Sequence, residues 1–281
     1  MNGTPERAGT VMREESARSA FGKKEECRPS ASVGTPYFRL FGPYRGSEPA
    51  FYDPSRLPAV RSLQSHWREV RREFEEFCQT RRQLESHFVP DRVSLRGWKG
   101  VKLVTFGRPY RRNLAAFPKT VAALASVPGL VSASINVLEP GTMLPVHNGD
   151  SDLCYRLHLG LVVPAGVEQC GIQVGDERRG WEEGGLLVFN DACPHYVWNM
   201  SASSRVILLC DVLKEPYLDE SRRRCAQVLA TIALLYLQLR IPRSVQLPAA
   251  VWRAALRATT VPFSVYLQLF GWRPALKGRN P

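Results

Sequence analysis

Three of the five histidines, His147, His158 and His195, fall in the half of the chain richest in short strand-like runs. A neutral imidazole is a ligand for iron, zinc, copper or nickel, so residue type alone does not choose the metal. His147 follows a Pro-Val pair in what reads as a loop ahead of a strand, and His195 closes the segment LLVFNDACPH at a strand's end. Two such loops can converge at the mouth of a β-sandwich and hold a metal between them. In the common arrangement of two histidines and one carboxylate, an acid stands two residues after the first histidine; here that position is Gly149. Taken one at a time, a histidine of this kind is more often structural or incidental than a ligand.

Arg156 and His158 add a second signal. They are two apart in the run YRLHLGL, so they share one face of a strand while Leu157 and Leu159 take the other. An arginine and a histidine turned into an apolar interior require an anionic partner. That partner is either a structural carboxylate such as Asp191 or a bound organic acid. Arg205 opens another strand-like run ten residues after His195. Two separate arginines around a metal loop suit a dicarboxylate gripped at both ends.

The elements that must position these residues are short. VKLVTF, SASINVL, RLHLGLVV, GIQV, LLVF and RVILLCDV are separated by Pro-Gly, Gly-Asp and Gly-Gly. That punctuation predicts an antiparallel sandwich or barrel across 96–216. Ahead of it, Leu63, Trp67, Val70, Phe74 and Phe77 recur every three or four residues and predict one helix over 58–84 packed on the sheet. A further helix is expected at about 119–126. Residues 1–36 are polar and aperiodic and read as a disordered leader; 37–95 read as an extended arm followed by the packing helix. Residues 217–281 read as a helical extension broken by Pro242, Pro248 and Pro262.

The net charge of +12 is concentrated: ten Lys/Arg and no Asp or Glu lie in residues 221–281, leaving an excess of two for the first 220. This directs the expectation to an anionic membrane surface contacted by the extension, with a homo-oligomer contact as the plainer use of the same helices; no nucleic acid is expected. Seven cysteines without a CxxC pair argue against a disulfide framework or a structural zinc site. With no apolar signal segment near residue 1, the expected location is cytoplasmic, including the cytoplasmic face of a membrane.

Read together, HNGDSDLCYRLHLGL, WEEGGLLVFNDACPHYVW and SSRVILLCDV resemble the core of the aspartyl/asparaginyl β-hydroxylases, a resemblance that extends to GWKGVKL and FPKTVAALASVP. The spacing that carries it is a histidine, arginine at +9, histidine at +11, a WEEG motif, then a histidine with arginine at +10. The family uses Fe(II), 2-oxoglutarate and O2 on a double-stranded β-helix, a jelly-roll or cupin-like fold, here with flanking α-helices. By position, the resemblance implies that His147 and His195 are the iron ligands. It implies that Arg156 and His158 hold the chelating end of 2-oxoglutarate, and that Arg205 grips its distal carboxylate. Asn136 stands where peptide-hydroxylating members have a serine that assists this grip. Those members also have glycine at the third position, so Gly149 fits a two-histidine site with Asp191 or Asp150 as an outer-shell acid.

The resemblance implies hydroxylation of an unactivated C–H bond, at the β-carbon of Asp or Asn in a peptide or related small molecule. The alternative is the acyl chain of a membrane lipid of the lipid A or ornithine-lipid type, suggested by the short chain, the YDP-containing arm and the basic helices. A non-catalytic 2-oxoglutarate or metal-binding module is the reading from another class. A zinc enzyme using two histidines and Asp150 leaves both arginines without a task.

Overall fold

A computed structural model describes residues 36–80, 84–86, 97–241 and 247–272. The expected leader lies almost wholly outside the described residues. Twelve strands are present among the described residues: β1 (Phe51–Tyr52), β2 (Glu85–Ser86), β3 (Trp98–Thr105), β4 (Arg108–Pro109), β5 (Leu130–Leu138), β6 (Thr142–His147), β7 (Cys154–Val162), β8 (Cys170–Val174), β9 (Glu177–Arg179), β10 (Leu186–Phe189), β11 (His195–Asn199) and β12 (Arg205–Leu213). The helices are α1 (Pro58–Ser65), α2 (Trp67–Gln79), α3 (Arg111–Leu114), α4 (Pro118–Ala125), α5 (Ser221–Gln238) and α6 (Ala249–Phe270).

Pairing runs β5 with β12, β6 with β11, β7 with β10 and β8 with β9, all antiparallel, so the chain forms one long ribbon folded over on itself. Folding is closed by β12 against β7 and β11 against β8. The result is a larger sheet in the order β1-β10-β7-β12-β5-β3-β2 facing a smaller one in the order β6-β11-β8-β9. This is the double-stranded β-helix.

The two-residue period decides which side chains meet. On β7 and β12, Leu157, Leu159, Leu161, Leu208 and Cys210 point outward to the helix layer, joining Val60, Leu63, Val70, Phe74 and Phe77 in one core cluster. Each large apolar side chain fully buried there contributes roughly 1.5–3 kcal/mol. The alternate positions, Arg156 and His158 on β7 and Arg205, Ile207, Leu209 and Asp211 on β12, face the space between the sheets. Leu138, Leu144, Ile172, Phe189, Val197 and Ile207 fill the apolar part of that space.

The structure differs from the sequence expectation in three places. The helix expected over 58–84 is two helices, broken at His66 and ended by Thr80. At the break, Ser65 Oγ and His66 Nδ1 both bond to Ser62 O, the local side-chain competition that disfavours a continuous helix. His147 ends a strand rather than preceding one, and His195 begins one. Pro145 hides the first from pattern reading, yet β6 is an edge strand pairing only with β11, where proline is tolerated. Finally, Pro262 does not break the extension. α6 continues through it, with Trp252, Leu256 and Leu267 packed on either side of the lost hydrogen bond.

Candidate functional site

β6 and β11 bring His147 and His195 directly opposite one another across the ladder, with ring centroids 4.2 Å apart. Each ring is fixed by the same device. Nδ1 of His147 donates to the Pro145 carbonyl at 2.8 Å, and Nδ1 of His195 donates to the Cys193 carbonyl at 2.9 Å. A proton held at Nδ1 makes Nε2 the lone-pair nitrogen, the form in which imidazole binds a metal. His195 is buried, and burial beside His147 drives its basicity well below the usual histidine range, which keeps the ring neutral. Among the described residues no group of three or more His, Cys, Asp or Glu is arranged around a metal position.

The third position is accounted for sterically. Gly149 N–H donates to the Asp191 carbonyl at 2.7 Å, and a Cβ built on Gly149 would lie 1.6 Å from Asp191 Oδ2. The Asp191 carboxylate therefore stands in the space that a side chain at 149 would take. Its Oδ1 is 3.6 Å from His195 Nε2 and 2.5 Å from an Arg156 guanidinium nitrogen. Burial pushes the Asp191 carboxyl up to about 7, against the opposing pull of Arg156. Gly149→Asp, which restores an acid at the third position of the motif, is expected to collide with Asp191 and lower stability by roughly 1–3 kcal/mol. Thermal unfolding measures this, and Gly149→Asp combined with Asp191→Gly is expected to recover most of the loss. The other outer-shell candidate is placed differently: the Asp150 carboxyl makes no hydrogen bond or ion pair among the described residues, and its backbone carbonyl accepts from Arg39 N at 3.0 Å.

Facing the histidines, the larger sheet presents a row of polar groups. Arg156 is held by Asp211 through two hydrogen bonds, at 2.8 and 3.1 Å, and by Asp191 through a third. Burial alone would weaken its charge, but the two carboxylates together outweigh it and hold the guanidinium more strongly protonated than usual. Of the two partners open from sequence, structural carboxylates are the ones seen around Arg156. Arg205 is the opposite case. It is 2% exposed, its Nε has no hydrogen-bond partner, and it has no carboxylate partner among the described residues. Its guanidinium lies 4.6 Å from the centroid of the Trp181 ring, and burial pulls its pKa down to about 10.

Trp181 links this arginine to His158. Its indole N–H donates to His158 Nδ1 at 3.3 Å, so the proton of the neutral ring belongs on Nε2, an atom that is buried and without a partner. Burial, with Arg205 and Arg156 nearby, holds His158 well below the ordinary histidine range. Asn136 completes the group, its Nδ2 3.3 Å from Ser134 Oγ and its Oδ1 without a partner. Turning that amide over lets Ser134 Oγ donate to Oδ1 and presents the NH2 as one more donor. His147, His195, Asn136, Arg156, His158 and Arg205 all line one small cleft between the sheets, open at one end. The cleft thus sets unpartnered buried donors on one wall against lone-pair imidazoles on the other, a chemistry able to receive a small anion and a metal.

A sequence profile of the family described as Aspartyl/Asparaginyl beta-hydroxylase matches residues 64–215. The chain belongs to this family. Among aspartyl/asparaginyl β-hydroxylase relatives, the ornithine lipid ester-linked acyl 2-hydroxylase of Rhizobium tropici is 33% identical over 171 residues, 59% of this chain and 61% of the relative. The aspartyl/asparaginyl beta-hydroxylase of Mus musculus is 33% identical over 173 residues, again 59% of this chain but 22% of the relative. Human aspartate beta-hydroxylase domain-containing protein 2 is 32% identical over 124 residues, 41% of this chain and 33% of the relative. The chain thus spans at most about three fifths of these relatives. For this hydroxylase-family core, two contributors to the site escaped the sequence reading. Asp211 was a detectable signal, a lone acid in the apolar run RVILLCDV, but its partner emerges only from the register that sets it opposite Arg156. Trp181 was visible within the WEEG motif, while its contact with both His158 and Arg205 depends on the fold.

Proposed function

We propose that the chain is an Fe(II)- and 2-oxoglutarate-dependent hydroxylase. The observation that carries this reading is the buried Arg205 guanidinium, its Nε unpartnered and with no carboxylate beside it among the described residues, in the same cleft as two imidazoles fixed in the metal-binding tautomer. His147 and His195 would hold the metal through Nε2. Arg205, helped by the Asn136 amide, would take the distal carboxylate of 2-oxoglutarate, and the Nε2–H of His158 would donate to the end nearer the metal. The bound iron and cosubstrate supply the chemistry, oxidative decarboxylation of 2-oxoglutarate to succinate and CO2 coupled to insertion of one oxygen atom of O2 into a C–H bond. The chain's own contribution is placement. Asp211 and Asp191 lock Arg156, Trp181 orients His158 and Arg205, and Phe189 and Val197 exclude water beside the histidines. Asp191, from the space beside Gly149, would offset part of a bound metal's charge.

For the substrate, the glycine at position 149 favours the β-carbon of an Asp or Asn residue in a peptide or related small molecule. A second reading, hydroxylation of a lipid acyl chain, is favoured by a specific observation. The C-terminal helices expose large apolar side chains, and one of the relatives named above is an acyl 2-hydroxylase of ornithine lipid. Purified protein given Fe(II), 2-oxoglutarate and air is expected to release succinate. Mass spectrometry of peptides and lipid extracts from cells with and without the protein should show a gain of one oxygen in one of the two pools. Absence of succinate with every substrate pool would reject the reading.

A further inference from the structure

α5 and α6 pack as an antiparallel hairpin with a core of Ala230, Leu234, Leu235, Trp252 and Leu256. That core uses one side of α6. The opposite side carries Val251, Ala254, Ala258, Val261, Val265 and Leu269, spaced three or four apart and all exposed, with Val261 at 62% and Leu269 at 66%. Residues at that spacing form one continuous stripe along the helix. An apolar stripe this long, left open to water on a helix whose other face is already buried, marks an interaction surface.

The charges beside the stripe say what covers it. Arg253 and Arg257 are exposed one turn apart along its border, and Arg240 is exposed at the end of α5. No Asp or Glu occurs anywhere in residues 221–281. A second copy placed on the stripe would bring Arg253 and Arg257 toward their own counterparts, with no carboxylate of the hairpin to oppose them. The first 35 residues contain no apolar run able to cover the stripe from within the chain. An anionic bilayer surface satisfies both features, taking the apolar side chains into the acyl boundary and the guanidinium groups to phosphate. Among the described residues no helix is long and apolar enough to cross a membrane, so α6, about 33 Å long, would lie in the surface plane.

We propose that the α5–α6 hairpin docks this chain on an anionic lipid surface. The docking face is tied to the catalytic cleft through the N-terminal arm. Leu40 packs in the hairpin's own core, and the next residue back, Arg39, donates its backbone N–H to the carbonyl of Asp150, three residues from His147. Docking does not depend on what the cleft hydroxylates.

Flotation of the full chain with phosphatidylcholine vesicles, with and without phosphatidylglycerol, tests the proposal. Wild type is expected to float with the phosphatidylglycerol vesicles at low ionic strength and to be released as salt screens the contact. Arg253→Gln with Arg257→Gln is expected to weaken partitioning roughly 30-fold, and Val261→Glu with Val265→Glu to abolish flotation. Both pairs lie on the exposed face, so unchanged thermal unfolding will show that the fold is intact. Wild type remaining at the bottom of the gradient with phosphatidylglycerol at low ionic strength would overturn the proposal. So would light scattering that shows a vesicle-free dimer split by the Val261/Val265 pair, which would assign the stripe to a second copy.

Discussion

Arg205→Met is expected to weaken binding of 2-oxoglutarate strongly and, in the same protein, to raise the unfolding temperature of the ligand-free form. The two effects have one cause. Arg205 is almost wholly buried against a face of Trp181, with no acid among the described residues to balance it. An uncompensated charge in that position costs folding free energy, and its replacement by an apolar side chain of similar length relieves the cost, by about 1 kcal/mol or more. With a dicarboxylate bound, the sign reverses. The guanidinium then has its counter-ion, and truncating one partner of a buried, hydrogen-bonded charge pair costs about 2–4 kcal/mol, a weakening of roughly 30- to 700-fold. Thermal shift with and without 2-oxoglutarate reads both effects in one experiment. An arginine that merely braced the fold would give the opposite first result, a lower unfolding temperature.

His195→Ala is expected to reduce metal-dependent succinate formation more than about 100-fold, beyond the effect of losing a group that only orients a ligand. With two imidazoles as the side-chain donors, removal of one takes half the set. His195 also lies on the inner face of β11 directly opposite His147, so no neighbouring donor on that strand can substitute. Titration with Mn(II), followed by the spectroscopic signal of the bound ion, separates loss of metal from loss of turnover. Retained Mn(II) affinity in the alanine variant would move the metal site elsewhere.

Short strand-like runs with turn residues between them were enough for a sandwich or barrel, and the family resemblance narrowed that to the double-stranded β-helix. In RLHLGL and RVILL every second residue belongs to the helix-side core, leaving the arginines and the histidine on the inner face. Spacing was sufficient to bring His147, His158, His195 and Arg205 to notice. It could not assign partners. Asp211 and Arg156 are 55 residues apart and meet only through the register of β7 on β12. For the same reason, sequence could not tell that Arg156 is neutralised by two carboxylates while Arg205 rests on the Trp181 ring with no carboxylate partner among the described residues. The motif fits Gly149 to a two-histidine site, but a motif records what a residue contributes, not what occupies the space it vacates. Here that occupant is the carboxylate of Asp191, 42 positions along the chain. The two histidine-bearing strands were missed because proline stands within one and immediately before the other, and only an edge position or a strand start accommodates that.

Calorimetric titration of 2-oxoglutarate into the Mn(II)-loaded chain tests the central claim most directly. A single saturable site is expected, dependent on the metal and weakened roughly 30-fold or more in Arg205→Met. Unchanged affinity in Arg205→Met, or no binding to the metal-loaded wild type, would contradict it.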